Sequence, residues 1–403
     1  MVWPDPNDRV GDYFMSMKVR EAPIILIHGI KGSHLAQSYD DSFDTVWSGV
    51  QHRFESILDL ELDEKGEMEK DPWDVISVMR IEKVAYGELM AKLRKKFQRA
   101  PAYIFRYDWR LDLLNTAKKF NGFLELLEKK TGRHSFRIVT HSMGGLILSA
   151  FLEMDKARNL KRVERAVLAT PPFWGSIEAM SILVSGETVG FGFNAPESYR
   201  KIARTFPSVY QLVPGYPEAW DHPQTGADIW NIDYWQSRVR FDGRDKQKYK
   251  NRDNQMQSHL IRAKRFHDND MLDFDKDLPE KERKKFLVLY GVGEKTKIKL
   301  KVKQKNSKKD IKYFFDFKNS DGDERGDGTV PEKSVLRYKK IPRIAIELSD
   351  FSAWWPGLWD DKAKLRIAGY HAMFLALDKT QGLVCDWFEG KDPKPSWAQP
   401  IKP

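Results

Sequence analysis

Cysteine is nearly missing from this chain: Cys385 is the only one in 403 residues. No intrachain disulfide can form, and no metal centre can rest on several thiolates. Long apolar runs are missing as well. None approaches the roughly 20 residues that cross a bilayer as a helix. The opening, MVWPDPNDRVGDYF, lacks a basic stretch followed by an apolar one, so no secretory signal is expected. Together these absences predict a cytoplasmic protein. A diffuse excess of positive charge is also missing, although the net charge is +10. Residues 295–312, KTKIKLKVKQKNSKKDIK, hold nine lysines against one aspartate and carry most of that excess. One basic patch on a near-neutral chain argues against a general nucleic-acid binder, and no nucleic-acid partner is expected. No internal repeat marks a solenoid.

What is present is an alternation. Six short runs, rich in β-branched residues and nearly continuous in apolar character, read as strands covered on both faces: PIILIH (23–28), AYIFRY (102–107), FRIVT (136–140), RAVLAT (165–170), FLVLYG (286–291) and RIAIEL (343–348). Helical patterns fall at about 86–98, 112–130 and 143–155. In the last, Leu146, Ile147, Ala150, Phe151 and Met154 share one face. Strand alternating with helix predicts a doubly wound, mostly parallel α/β sheet. The core segments are expected at about 20–175 and 285–392 of a single domain. Residues from about 176 to 284, rich in Pro, Gly, Trp and charge, break the rhythm and read as a cap inserted over the sheet's carboxyl edge. Within 295–317, Ile298, Leu300 and Val302 alternate with Lys297, Lys299, Lys301 and Lys303 before a turn at NSKKD. That period of two predicts a β-hairpin with one lysine-lined face.

The stretch IVTHSMGG (138–145) runs from strand to helix through Ser142. A serine on so sharp a turn projects its hydroxyl above the sheet edge, beside a helix N-terminus that favours developing negative charge. Gly144 and Gly145 supply the small neighbours, while Thr140 stands where a first glycine is usual. A serine hydroxyl needs a base, and the base needs a carboxylate to orient it. On this kind of scaffold they follow in the order Ser, Asp, His. Asp327 in GDGTVP and His371 in GYHAMF have that order, one before and one after the last strand. Asp321 and Asp323 compete for the acid's place; Gly326 and Gly328 on either side favour Asp327. Preformed amide donors for an oxyanion are expected at Ile30 and Met143, with Lys31 N–H as a substitute. His28 reads as a residue shaping the loop after the first strand.

With these pieces in hand, the chain resembles the lecithin:cholesterol acyltransferase family, which includes lysosomal phospholipases and lies within the α/β-hydrolases. PIILIHGIKGSHL is similar to that family's oxyanion loop, DTVWSGV to its early lid region and YDWRLD to its tyrosine–aspartate–tryptophan–arginine motif. HSMGG is similar to its nucleophile elbow, TPPFWGSIEAMSILVSGE to the stretch after the next strand, VLYGVGEKT and GDGTVPEKS to its final strand and acid loop, and YHAMF to its histidine site. The resemblance implies an α/β-hydrolase with cap and lid insertions that passes an acyl group from a lipid ester through an acyl-serine to water or an alcohol. It implies Ser142 as nucleophile, Asp327 as acid, His371 as base, Ile30 and Met143 as oxyanion donors, and Trp47 near the substrate. It implies no metal or organic cofactor. Extracellular members pin the early lid with a disulfide, which a chain with one cysteine cannot do.

Several features admit more than one reading. Asp108 and Arg110 form either a buried pair holding a loop or an acid–base set, and the first is the simpler. WWPGLW (354–359) suits a membrane interface, an acyl pocket or ordinary loop packing. The lysine hairpin either faces an anionic membrane or protects an exposed strand edge. Two whole-protein alternatives stand beside the lipid enzyme: a soluble carboxylesterase for small esters, and a non-catalytic lipid- or membrane-binding scaffold.

Overall fold

All six apolar runs pair into one sheet: β1 (Ile24–Ile27), β2 (Ala102–Phe105), β3 (Phe136–His141), β4 (Val163–Ala169), β5 (Phe286–Val292) and β6 (Arg343–Glu347). In the computed structural model, which describes residues 19–38, 43–47, 58–70, 76–186, 196–235, 246–306, 311–317, 322–323, 325–348 and 369–392, their order is β6–β5–β4–β3–β1–β2. Every neighbouring pair is parallel. The chain leaves β1 for β2 on one side and returns to β3 on the other. β1 and β3 therefore flank the crevice where open parallel sheets carry their sites.

Alternate side chains of each strand enter two separate cores. Ile25, Ile27, Ile138 and Leu168 pack on one face, Ile24, Leu26, Val139 and Val167 on the other. The first face is covered by α2 (Leu113–Thr131) and α3 (Met143–Met154), the second by α1 (Lys83–Lys96) and α5 (Asp378–Phe388). α1 starts where the Glu82 carboxylate accepts from the Val84 N–H, and α2 where Asp112 accepts from Asn115. α2 ends on Gly132 in the left-handed region.

A second, antiparallel sheet joins Ser33–Ser38 to Phe43–Trp47 and Ile76–Ile81. Sequence reading did not anticipate it, because SHLAQS is short and only partly apolar. Arg110, fully buried, ties this side to the main sheet. It pairs with Asp108 at 2.6 Å and Glu69 at 3.0 Å and donates to the Leu60 carbonyl. Asp108 and Arg110 thus hold a loop. Trp109 Nε1–H adds a bond to the Ser33 carbonyl.

Between β4 and β5 run α4 (Ile177–Ser185), the shorter helices Pro196–Ala203 and Pro207–Tyr210, and the helix Lys246–Arg265. Leu300–Asn306 and Ile311–Asp316 form an antiparallel hairpin, and Trp220–Asp221 adds a parallel edge to it. Leu300, Val302, Tyr313 and Phe315 are buried; Lys301, Lys303, Lys305 and Lys312 are exposed. Lys297 turns elsewhere, to Glu178 at 3.8 Å and to the Phe317 ring. Among the described residues no helix is long and apolar enough to cross a membrane. WWPGLW lies outside the described residues.

Candidate active site

Ser142 sits where β3 gives way to α3, with φ +51° and ψ −125°. A non-glycine residue in that region is strained, and the surroundings hold it there. Its N–H donates to the Ala169 carbonyl on β4 at 2.8 Å, and its own carbonyl accepts from Gly145 N–H at 2.9 Å. The glycines explain how the helix can begin so close to the sheet. A Cβ on Gly144 would stand 2.4 Å from the Ile27 carbonyl oxygen, and one on Gly145 2.7 Å from the Pro171 side chain. Thr140, in place of the first glycine, is buried, and a Cβ on Gly145 would stand 3.5 Å from its Oγ1.

Asp327 and His371 meet Ser142 in one hydrogen-bonded line. Asp327 Oδ2 accepts from His371 Nδ1–H at 2.7 Å, and His371 Nε2 accepts from the Ser142 hydroxyl at 2.8 Å. Asp327 is buried, and its Oδ1 accepts from Val330 N–H at 2.8 Å and Thr329 N–H at 3.1 Å. Each carboxylate oxygen is therefore committed, which leaves the imidazole proton on Nδ1 and a lone pair on Nε2 facing the serine. The acid loop bends at Gly328, φ +89°. It is tied down by Gly328 N–H donating to Thr296 Oγ1 at 2.9 Å. Gly291 on β5 leaves room for it: a Cβ there would come within 2.9 Å of the Asp327 Cβ. Of the competing acids, Asp321 lies outside the described residues, and Asp323 pairs through its backbone with Thr296.

The loop after β1 lies against the serine. A Cβ on Gly29 would be 3.0 Å from Ser142 Cβ. Ile30 is on the cleft wall, and Met143, buried, opens α3 with the first of the amides that have no acceptor inside the helix. His28 is fully buried and stacks on Tyr107 at 4.1 Å. Its Nδ1–H donates to the Gly29 carbonyl at 2.8 Å and its Nε2 accepts from Tyr107 N–H. Burial pushes its pKa down to about 4, with the Gly29 bond opposing and Arg106 adding to the fall. It is a neutral loop-shaping residue with both nitrogens engaged.

In the sequence Lys31 offers only its backbone N–H as a functional group. With φ +61°, it turns its side chain inward. The ammonium lies 4.6 Å from the Tyr199 ring centroid and 5.6 Å from that of Trp47. Burial pushes its pKa down to about 7, against the attraction of Glu178. Trp47 is fully buried, edge-on to Trp109 at 5.2 Å, and stands behind Lys31. Among the described residues the cleft is lined by Ile30, Ala85, Ala179, Ile182, Leu212 and Val330 around Ser142 and His371, and it encloses about 880 Å³ including its open mouth. Lys31, Ser176 and Glu178 form its polar side. Sequence reading also missed Tyr86 and His141, which line the same cleft. The adjacency of His141 to Ser142 was a signal; Tyr86, an apolar-face residue of α1, offered none.

The parallel sheet, its strand order and the serine at the end of β3 define an α/β-hydrolase fold. The fold and the resemblance expected from the motifs are both borne out. Residues 99–272 match the family model described as lecithin:cholesterol acyltransferase. It is 29% identical over 124 residues to phospholipase A(1) LCAT3 of Arabidopsis thaliana; the aligned stretch is 29% of this chain and 27% of that protein's length. The fold is similar to that of a chain in the crystal structure of the Tle4–Tli4 complex, with a TM-score of 0.52 and 14% identity over 92% of this chain and 99% of that one. The mature Bacillus licheniformis lipase BlEst2 is similar at a TM-score of 0.31 and 13% identity, over 86% of this chain and 85% of that one.

Proposed function

We propose that this protein is a serine-dependent lipid acyl hydrolase or O-acyltransferase working through an acyl-serine intermediate. The observation that carries the reading is the line Ser142–His371–Asp327 with a strained serine at its head. His371 takes the Ser142 proton as Oγ attacks the ester carbonyl. The Ile30 and Met143 amides hold the oxyanion, and the α3 N-terminus adds its partial positive charge. His371 then protonates the leaving alkoxide, and Asp327 stabilises the imidazolium. Water or an alcohol, activated in turn by His371, releases the acyl group. The apolar cleft wall supports an acyl chain as the part of the substrate bound there. Trp47 acts at one remove, by backing the Lys31 side chain. The similarity to a plant phospholipase supports a phospholipid as acyl donor.

In this reading residues 176–284 form the cap and the rest one hydrolase domain. The single cysteine supports a cytoplasmic location. A peripheral contact with anionic membrane is supported by the hairpin, where Lys305 stands opposite Lys312, while Lys303 is paired with Asp316 at 2.5 Å. Like charges placed across a strand pair cost stability unless something anionic meets them.

Ser142→Ala should lower turnover of a long-chain acyl ester by several orders of magnitude while leaving the melting temperature within a few degrees. Turnover near the unmodified level would remove Ser142 from the mechanism.

A further inference from the structure

Beyond the three aligned side chains, a chain of buried hydrogen bonds crosses the site from the β1 loop to the backbone of the base. Gly29 N–H donates to Tyr86 Oη at 3.1 Å. The Tyr86 hydroxyl donates to His141 Nδ1 at 2.9 Å, and His141 Nε2–H donates to the His371 carbonyl at 2.8 Å. Tyr86 and His141 are 2% and 3% exposed, so water does not readily substitute for either. We propose that Tyr86 and His141 are positioning residues: the tyrosine hydroxyl selects the His141 tautomer that carries its proton on Nε2, and that proton fixes the His371 backbone so that its ring meets Ser142 and Asp327. The proposal rests on the acyl-serine reading above and adds a device to it.

The chemistry is specific to these groups. A neutral imidazole carries one proton, and either nitrogen can hold it. In His141 only the Nε2–H form can donate to a carbonyl. Because Gly29 N–H occupies an acceptor position of Tyr86 Oη, the phenol proton is directed to Nδ1, which must then be the bare nitrogen. Burial first, and the neighbouring His371 second, push the His141 pKa down to about 3. The ring therefore stays neutral and adds no charge beside the base, whose ring centroid is 5.2 Å away. The loop is packed tightly around the phenol: a Cβ on Gly32 would come within 2.9 Å of Tyr86 Oη. The His371 ring is otherwise held by Ser142 and Asp327, the two groups it must serve. An independent anchor on its backbone sets the reacting distance without competing for the ring nitrogens.

A double-mutant cycle on ester hydrolysis and fluorophosphonate labelling tests this. Tyr86→Phe keeps the ring and removes the hydroxyl. It should lower kcat and the labelling rate about tenfold or more, with KM within about twofold. His141→Gln carries an amide donor that needs no tautomer control. In that background Tyr86→Phe should cost less than about twofold. His141→Met cuts the link outright; it should lose at least as much as Tyr86→Phe, and adding Tyr86→Phe to it should cost nothing more. Equal losses from Tyr86→Phe in all three backgrounds, or a change confined to KM, would overturn the proposal. If the unmodified protein itself fails to label, the acyl-serine reading falls; if it labels and the cycle is additive, only the positioning role falls.

Discussion

Two regions of the molecule bury histidine at similar depth and treat it differently. At the sheet's carboxyl edge, His28, His141 and His371 each have both ring nitrogens hydrogen-bonded. Between β4 and β5, His259 on the helix Lys246–Arg265 is 2% exposed, packs on Tyr210 at 5.0 Å, and neither nitrogen meets a partner among the described residues, while nearby His267 bonds the Gln211 carbonyl through Nε2 alone. His28 and His259 share a pKa pushed down to about 4, mainly by burial. The shift alone therefore does not tell a histidine that organises a site from one that fills space. The hydrogen bonds do, because only matched nitrogens fix a ring's orientation and tautomer.

Exchanging the two rings sharpens that contrast. His28→Phe keeps the stack on Tyr107 but strands the Tyr107 N–H and leaves the Gly29 carbonyl with Gly32 N–H as its donor. It should cost about 2 kcal/mol at pH 7 by denaturant titration and reduce ester turnover with it. An unchanged midpoint would mean the loop does not depend on His28. His259→Phe should cost little at pH 7 and show itself in acid. In the unfolded chain this imidazole protonates near 6.5; in the folded protein it resists protonation until about 4. The unfolded state therefore binds more protons between those values. The stability that neutral burial confers is complete above about 6.5 and drains as the pH falls toward 4. Removing the ring should recover about 2 kcal/mol of the loss between pH 7 and pH 5, measured as the change in unfolding free energy. An unaltered pH dependence would contradict its burial as a neutral base. The smallest effect belongs to the hairpin. Lys305→Gln relieves the opposition to Lys312, so it should raise stability by about 0.5 kcal/mol. It should also weaken binding to phosphatidylserine–phosphatidylcholine vesicles about fivefold at low salt. Equal vesicle binding would leave edge protection as the lysines' role.

Legibility in the sequence followed the range of the forces involved. The six core strands were readable because burial on both faces demands continuous apolar, β-branched residues, and little else in the chain looks like that. Their assembly into one mostly parallel sheet follows from the strand–helix alternation. Ser142, Asp327 and His371, the proposed catalytic residues, stood out as candidates because each sits at a turn whose glycines and order leave a local mark. The antiparallel sheet at Ser33–Ser38 was hidden, since its pairing is set by backbone bonds between distant segments and its side chains carry no period. The inward Lys31 was hidden for a related reason: a lysine beside a glycine reads as a solvated loop, and only the folded neighbours Trp47, Tyr199 and Glu178 make burial affordable. Tyr86 was invisible because an amphipathic helix reports which face is buried, never which hydroxyl finds which nitrogen.

The most direct measurement is the site of covalent capture. The purified protein is treated with a long-chain fluorophosphonate, digested, and its peptides are mapped by mass. One phosphonyl group on the peptide carrying Ser142, absent from Ser142→Ala and formed far more slowly in His371→Ala, is the predicted result. No adduct, or an adduct on another residue that persists in Ser142→Ala, would contradict the account.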